Sequence, residues 1–266
     1  MATWLERYRA GEHRRVWLEM TALEEAIRPK IAAPIPSQLA WKDVLREARD
    51  DRYVVRYADA VAVARETMQR ARQNVEMLVA RLRILGYQFE EPDRVFVPPP
   101  PDASEQLRAF EQLAGSFPLS VRAWCEQVGT IYLRGEHPRL TEYRSEWSWQ
   151  NCTFPDPLEF DAPFDYLGSE YDEWSSCQEQ GYIFPFGIEF AGDDYHKANV
   201  SGGPPYKIVL PNAAADAPIR YTPYGEIMFV DYLRLAFQWG GFPGFSRYPD
   251  YPEEEITFFT DGLLPL

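Results

Sequence analysis

The sequence predicts an α+β fold, in which an N-terminal helical unit is followed by a mixed or antiparallel sheet domain with flanking helices. Three observations carry this. The first 85 residues place apolar side chains three and four apart, the period of amphipathic helices. From about Thr130 to Tyr224 the chain is rich in proline, glycine and aromatics. Its short apolar runs there, "YIFPFGIEF" and "YKIVLP", read as strands between long loops. The helical period then returns in "GEIMFVDYLRLAFQWGG". Helices, a run of strands and a closing helix define the class.

In chain order, the first helix is expected over about Thr3–Ile27, with a break at Gly11, and a second near Trp41–Arg49, after the proline-punctuated loop "RPKIAAPIPS". The third, Arg56–Leu85, is the clearest. Val61, Ala64, Met68, Ala71, Val75, Leu78, Leu82 and Leu85 form one stripe, and Gly86 stands where a helix-ending glycine belongs. Three antiparallel helices would bury these stripes. "GYQFEEPDRVFVPPPP" reads as strand, turn and strand, closed by prolines that cannot donate to a ladder. The expected organisation is therefore a helical unit with a terminal hairpin over 1–97, a proline-rich connector over 98–103, and an α+β domain over 104–266. In "PDASEQLRAFEQLAG" a helix ending at Gly115 turns Leu107, Phe110, Leu113 and Ala114 inward. "SFPLSVRAWCEQVG" starts another, with Pro118 in its first turn, and "TIYLRG" follows as a strand. The last helix turns Ile227, Val230, Leu233 and Phe237 inward and stops at Gly240 and Gly241.

Composition narrows the function. Of 266 residues, 45% are hydrophobic and 15% aromatic, ample material for a core. No run approaches the roughly 18 apolar residues of a membrane span. The charged start "MATWLERYRAGEHRR" has no secretory pattern, so a cytoplasmic location is expected. Cys125, Cys152 and Cys177 are widely spaced and read as reduced thiols. The net charge of −14 is concentrated: residues 1–100 carry 17 basic against 15 acidic side chains, and residues 101–266 carry 10 against 26. Such a surface repels nucleic acid and anionic lipid and favours encounter with basic partners.

"FAGDDYHKANVSGGPPYKIVLP" holds two aspartates, a histidine, a lysine and a glycine pair. A phosphate cradle needs its glycines to feed a helix N-terminus. Here two prolines and an alternating strand follow, with Lys207 on that strand. A metal would need three or four converging ligands, and alternation offers only Asp194 and His196 on one face. A hydrolase centred on Asp193, Asp194 and His196 is the enzymatic alternative, without a nucleophile in a recognisable elbow. The stretch reads as a β-hairpin; no catalytic residue, metal or cofactor is assigned.

The order of these segments resembles the SUKH superfamily, which includes bacterial toxin-immunity proteins and the fungal regulator of cell-wall synthesis. The residues that carry it are "FPLSVRAWCEQVG" leading into "TIYLRG", then "YIFPFGIEFAGDDYHKANV", then the "FVDYLRLAFQW" helix, over roughly residues 104–245. Phe117 and Pro118 stand for the family's leucine-proline step and Gly129 for its glycine; the stretch from His137 to Gln180 is a long insertion. The resemblance implies a sheet domain that binds protein and catalyses nothing, and specifically an immunity protein that blocks a toxin, for example a basic nuclease domain.

The expected binding surface is "DPLEFDAPFDYLGSEYDEWSSCQEQ", with Glu159, Asp161, Asp165, Tyr166, Glu170, Tyr171, Asp172, Glu173 and Trp174 as contact residues. The competing reading has the aromatics plugging the sheet and the acids merely solvated. "YPDYPEEEITFF" is a second acidic run. A second function class, a scaffold or regulator binding through its N-terminal helices, also stands. The oligomeric state is not legible.

Overall fold

The computed structural model describes residues 2–27, 53–141, 154–200 and 202–266. The helix expected near Trp41–Arg49, the loop before it and Cys152 lie outside the described residues.

The fold is α+β. Two short helices, α1 (Trp4–Arg9) and α2 (His13–Ile27), meet at Gly11, whose φ of +102° makes the expected break. Thr3 caps α1: its hydroxyl accepts from the Glu6 amide at 3.1 Å, and its own amide donates to the Glu6 carboxylate at 2.8 Å. Asp59 accepts the next two free amides, Trp4 at 2.6 Å and Leu5 at 3.0 Å. That residue belongs to α3 (Tyr53–Leu85), a 33-residue helix about 50 Å long. Ala64, Met68, Ala71, Val75, Leu78 and Leu82 are all buried, as their spacing requires. A second side of α3 is buried as well, and its polar members are satisfied: the Thr67 hydroxyl accepts from the Trp17 indole at 3.1 Å.

Strands β1 (Gln88–Phe89) and β2 (Phe96–Val97) follow, but they do not form the expected hairpin. β1 pairs with β4 (Gly135–Glu136) and β2 with β3 (Thr130–Tyr132), both antiparallel. The partners come from beyond the proline connector, because the intervening α4 (Ala103–Ala114) and α5 (Leu119–Gln127) fold back over α3. Among the described residues the apolar interior is continuous across the prolines, taking in Leu78 and Leu82 as well as Val95 and Trp124. Gly129 makes the approach possible: at φ +90°, a Cβ there would overlap the carbonyl oxygen of Val97. Leu113 is 60% exposed, so α4 buries Leu107, Phe110 and Ala114 without it. Pro118 stands one residue before the helix it was expected to begin.

A short helix, α6 (Pro138–Thr141), precedes β5 (Glu159–Phe160), which extends the β2–β3 ladder. A 13-residue helix, α7 (Leu167–Glu179), then occupies a stretch read as loop. The β-hairpin reading of the glycine-rich stretch holds: β6 (Gly187–Ala191) pairs antiparallel with β7 (Tyr206–Val209), and Glu189 faces Lys207 across the ladder at 3.0 Å. A backbone bond from Asp161 to Phe190 (2.7 Å) ties β5 to β6. Reciprocal bonds between Lys207 and Arg220 tie β7 to β8 (Pro218–Ile219), which pairs with β9 (Ile227–Met228). Ile227 therefore lies on a strand, and the closing helix α8 begins at Phe229 and ends at Gln238. Trp124 sits at the centre, fully buried against Phe160 and Phe229.

Two helix starts share one acid. Asp216, buried, accepts from the Ser120 hydroxyl (2.6 Å) in the first turn of α5 and from the Val230 amide (3.2 Å) in that of α8. The chain closes with α9 (Glu253–Thr260), packed on α3. Its acidic run lies in the first turn, where the helix dipole favours it, and Glu255 turns inward to meet Arg139. The tail beyond lies along α3, where Asn74 bonds both backbone groups of Leu264. Among the described residues, no helix is long and apolar enough to cross a membrane.

Candidate protein-docking face

The acidic aromatic segment splits into an inner and an outer layer. No lysine or arginine occurs between Arg144 and Lys197, so nothing within the segment neutralises it. α7 sets the layers through its period: Leu167, Tyr171 and Trp174 point inward, while Asp172, Glu173 and Glu179 are exposed. Tyr171 packs edge-on against Phe110 of α4 and Phe186, and Trp174 packs against both Tyr171 and Phe186. The aromatics of the segment therefore plug the structure, as the competing reading has it, and Asp165, Asp172, Glu173 and Glu179 are exposed.

The acids fare differently one by one. Asp165, Asp172 and Glu173 are exposed. Asp161 pairs with Arg94 at 3.0 Å, and Tyr166 donates to its carbonyl at 3.0 Å, so that corner is already occupied. Glu170 is half-buried. Desolvation and the nearby Glu189 carboxylate push its carboxyl up to about 7, against the opposing charge of Lys207. Glu159 is the correction. It is 8% exposed, accepts from the Gly192 amide at 3.3 Å and faces the interior, because both residues of the two-residue strand β5 are buried. It is not a surface contact, and burial raises its carboxyl.

Sequence reasoning missed the most exposed part of this face. "YIFPFGIEF" read as one strand, but the strand begins only at Gly187. Residues 182–185 form an apolar loop, with Tyr182 63%, Ile183 92% and Phe184 43% exposed. The loop is held from behind by α7. The Trp174 indole donates to the Phe184 carbonyl at 2.8 Å, the Gln178 amide to the same oxygen at 3.2 Å, and the Tyr182 amide to the Cys177 carbonyl at 3.1 Å. The available signal was Pro185, which cannot donate to a ladder. What results is an apolar tip held from behind, beside exposed carboxylates that have no ion-pair partner among the described residues, the composition of an interface core with a charged rim.

The glycine-rich connection builds no comparable site. Asp193 accepts from the His196 amide at 2.7 Å and from the Gly203 amide, acting as a turn cap. Asp194 is paired with Arg247 at 2.5 Å. His196 is exposed and opens a 3₁₀ turn instead of sharing a strand face with Asp194. The three residues line neither the cavity of about 720 Å³ beside Asn212, Arg220 and Glu226 nor the cleft of about 150 Å³ between α4 and α7. Among the described residues, no group of three or more His, Cys, Asp or Glu side chains could hold a metal ion.

No protein-family model matches the sequence, and no curated protein or solved structure matches it.

Proposed function

We propose that this is a non-catalytic, SUKH-like binding protein of the cytoplasm, an immunity protein whose loop 182–185 and acidic helix α7 dock a basic toxin domain. The observation that carries the reading is Ile183, 92% exposed at the tip of a loop pinned in place by Trp174. Covering an isoleucine of this kind contributes about 2 kcal/mol to association. A loop already held in shape loses little conformational freedom on docking. Asp172, Glu173 and Glu179 beside it favour a cationic partner and speed its approach.

The test is to look for a toxin domain encoded beside this gene and to co-express the two in a host that the domain kills. Growth is restored by the wild-type chain and lost with Ile183→Asp. Reversing the charges of Glu170, Asp172 and Glu173 lowers the association rate and flattens its salt dependence. Survival that is indifferent to both changes would place the contact elsewhere.

A further inference from the structure

One amine of this chain is wholly enclosed. The side chains of Lys197 and Asp156 are both 0% exposed, and Lys197 Nζ lies 2.6 Å from Asp156 Oδ1. The other oxygen, Oδ2, accepts from the hydroxyls of Tyr206 at 2.9 Å and Tyr224 at 2.6 Å. The ring of Tyr206 sits 4.7 Å from the amine. Three residues along, Glu159 keeps its Oε2 buried without any hydrogen-bond partner, and the charge of Lys197 is the strongest influence opposing the effect of burial on its carboxyl. An ion pair removed from water is heavily penalised unless something further is gained. The loop that presents Asp156 is firmly built: Gly244 donates to the Pro155 carbonyl at 2.9 Å, Leu158 donates to Gly241 at 2.7 Å, and Asp156 itself is left-handed at φ +50°. A side chain at Gly244 would overlap the Phe154 carbonyl oxygen.

We propose that Lys197 and Asp156 condense into an intramolecular amide cross-link. The ammonium first passes a proton to Oδ1 through their contact, giving a neutral amine and a neutral acid. A hydrogen bond to one carboxyl oxygen places the nitrogen within about 3.5 Å of the carboxyl carbon, the range of near-attack geometry. Nζ attacks that carbon, and Oδ2 takes the developing negative charge between the two tyrosine hydroxyls. The nitrogen, now carrying two protons and a positive charge, passes one of them along its contact with Oδ1 to that departing oxygen. The carbon–Oδ1 bond breaks, Oδ1 leaves as water with two of the three ammonium protons, and the amide nitrogen keeps the third. No oxidant or co-reactant is required, and two buried charges disappear.

Two further features fit this chemistry. Asp156 is followed by Pro157, which has no amide N–H, so the aspartate cannot cyclise onto its own chain. The joined residues are 41 apart and enclose α7 and the loop 182–185.

Intact mass under denaturing conditions decides the matter on the wild-type chain. The expected mass is lower than that of the sequence by one water, with no tryptic cleavage after Lys197 and the peptides of Asp156 and Lys197 recovered joined. Lys197→Met restores the full mass. A wild-type mass equal to the sequence, or a missing water that maps elsewhere, such as the Asp261–Gly262 step, overturns the cross-link.

Discussion

The indole N–H of Trp174 donates to the main-chain carbonyl of Phe184 at 2.8 Å, joining the inner side of an acidic helix to the backbone of an exposed apolar loop. Trp174→Phe keeps an aromatic ring against Phe186 and removes that donor. The expected result is a stability loss of about 1 kcal/mol in urea unfolding. Loosening of loop 182–185 should appear as faster amide hydrogen exchange at Tyr182 and Ile183, with the sheet amides unchanged.

Glu170 gives the protein a pH dependence with a definite sign. Its carboxyl is lifted from 4.5 to about 7, so the folded chain holds this proton more tightly than the unfolded chain does. The stabilisation is complete below about 4.5 and is lost as pH rises towards 7. The groups that face it are Glu189, Glu173, Asp161 and the opposing Lys207. Glu170→Gln should therefore melt higher than wild type above pH 7 and together with it at pH 4, read by thermal unfolding across that range.

Asn74 holds the last residues to α3 through two bonds, its amide to the Leu264 carbonyl at 2.9 Å and its carbonyl from the Leu264 amide at 2.7 Å. Asn74→Ala removes both and leaves a gap in a fully buried position. The expected cost is about 2–3 kcal/mol, seen as a lower urea midpoint at unchanged slope.

Asp216→Ala takes one acceptor from the starts of two helices at once. Ser120 and Val230 lose their partner in a site closed to water, for a loss of about 3 kcal/mol. Asp216→Asn, which keeps one carbonyl acceptor, should lose less. Equal melting temperatures for the two variants would argue against the shared-cap account.

Long periodic segments were legible in the sequence. The stripe from Ala64 to Leu82 is buried residue for residue, because 33 helical residues repeat the period many times. Gly11 was legible because only a glycine relaxes at its φ. The pairing of β1 and β2 was not. A hairpin is the cheapest closure for neighbouring strands, and here α4 and α5 bring strands from farther along the chain to each of them. α7 escaped because its inward set, Leu167, Tyr171 and Trp174, is broken up by Gly168 and by acids that read as loop. The candidate face was half legible. Its exposed carboxylates follow from composition, but a two-residue strand has no period to reveal that Glu159 turns inward. Tyr182, Ile183 and Phe184 look like core by hydrophobicity alone, and only the bonds from Trp174 and Gln178 show them held outward.

The grip of Asn74 on Leu264 also bears on how the chain is made. During translation the long helix α3 emerges with one flank uncovered, and the segment that covers it follows 190 residues later. Contacts between residues so far apart in sequence form late and slow folding. Until then the newborn protein shows its apolar flank to whatever chaperone is waiting at the tunnel exit.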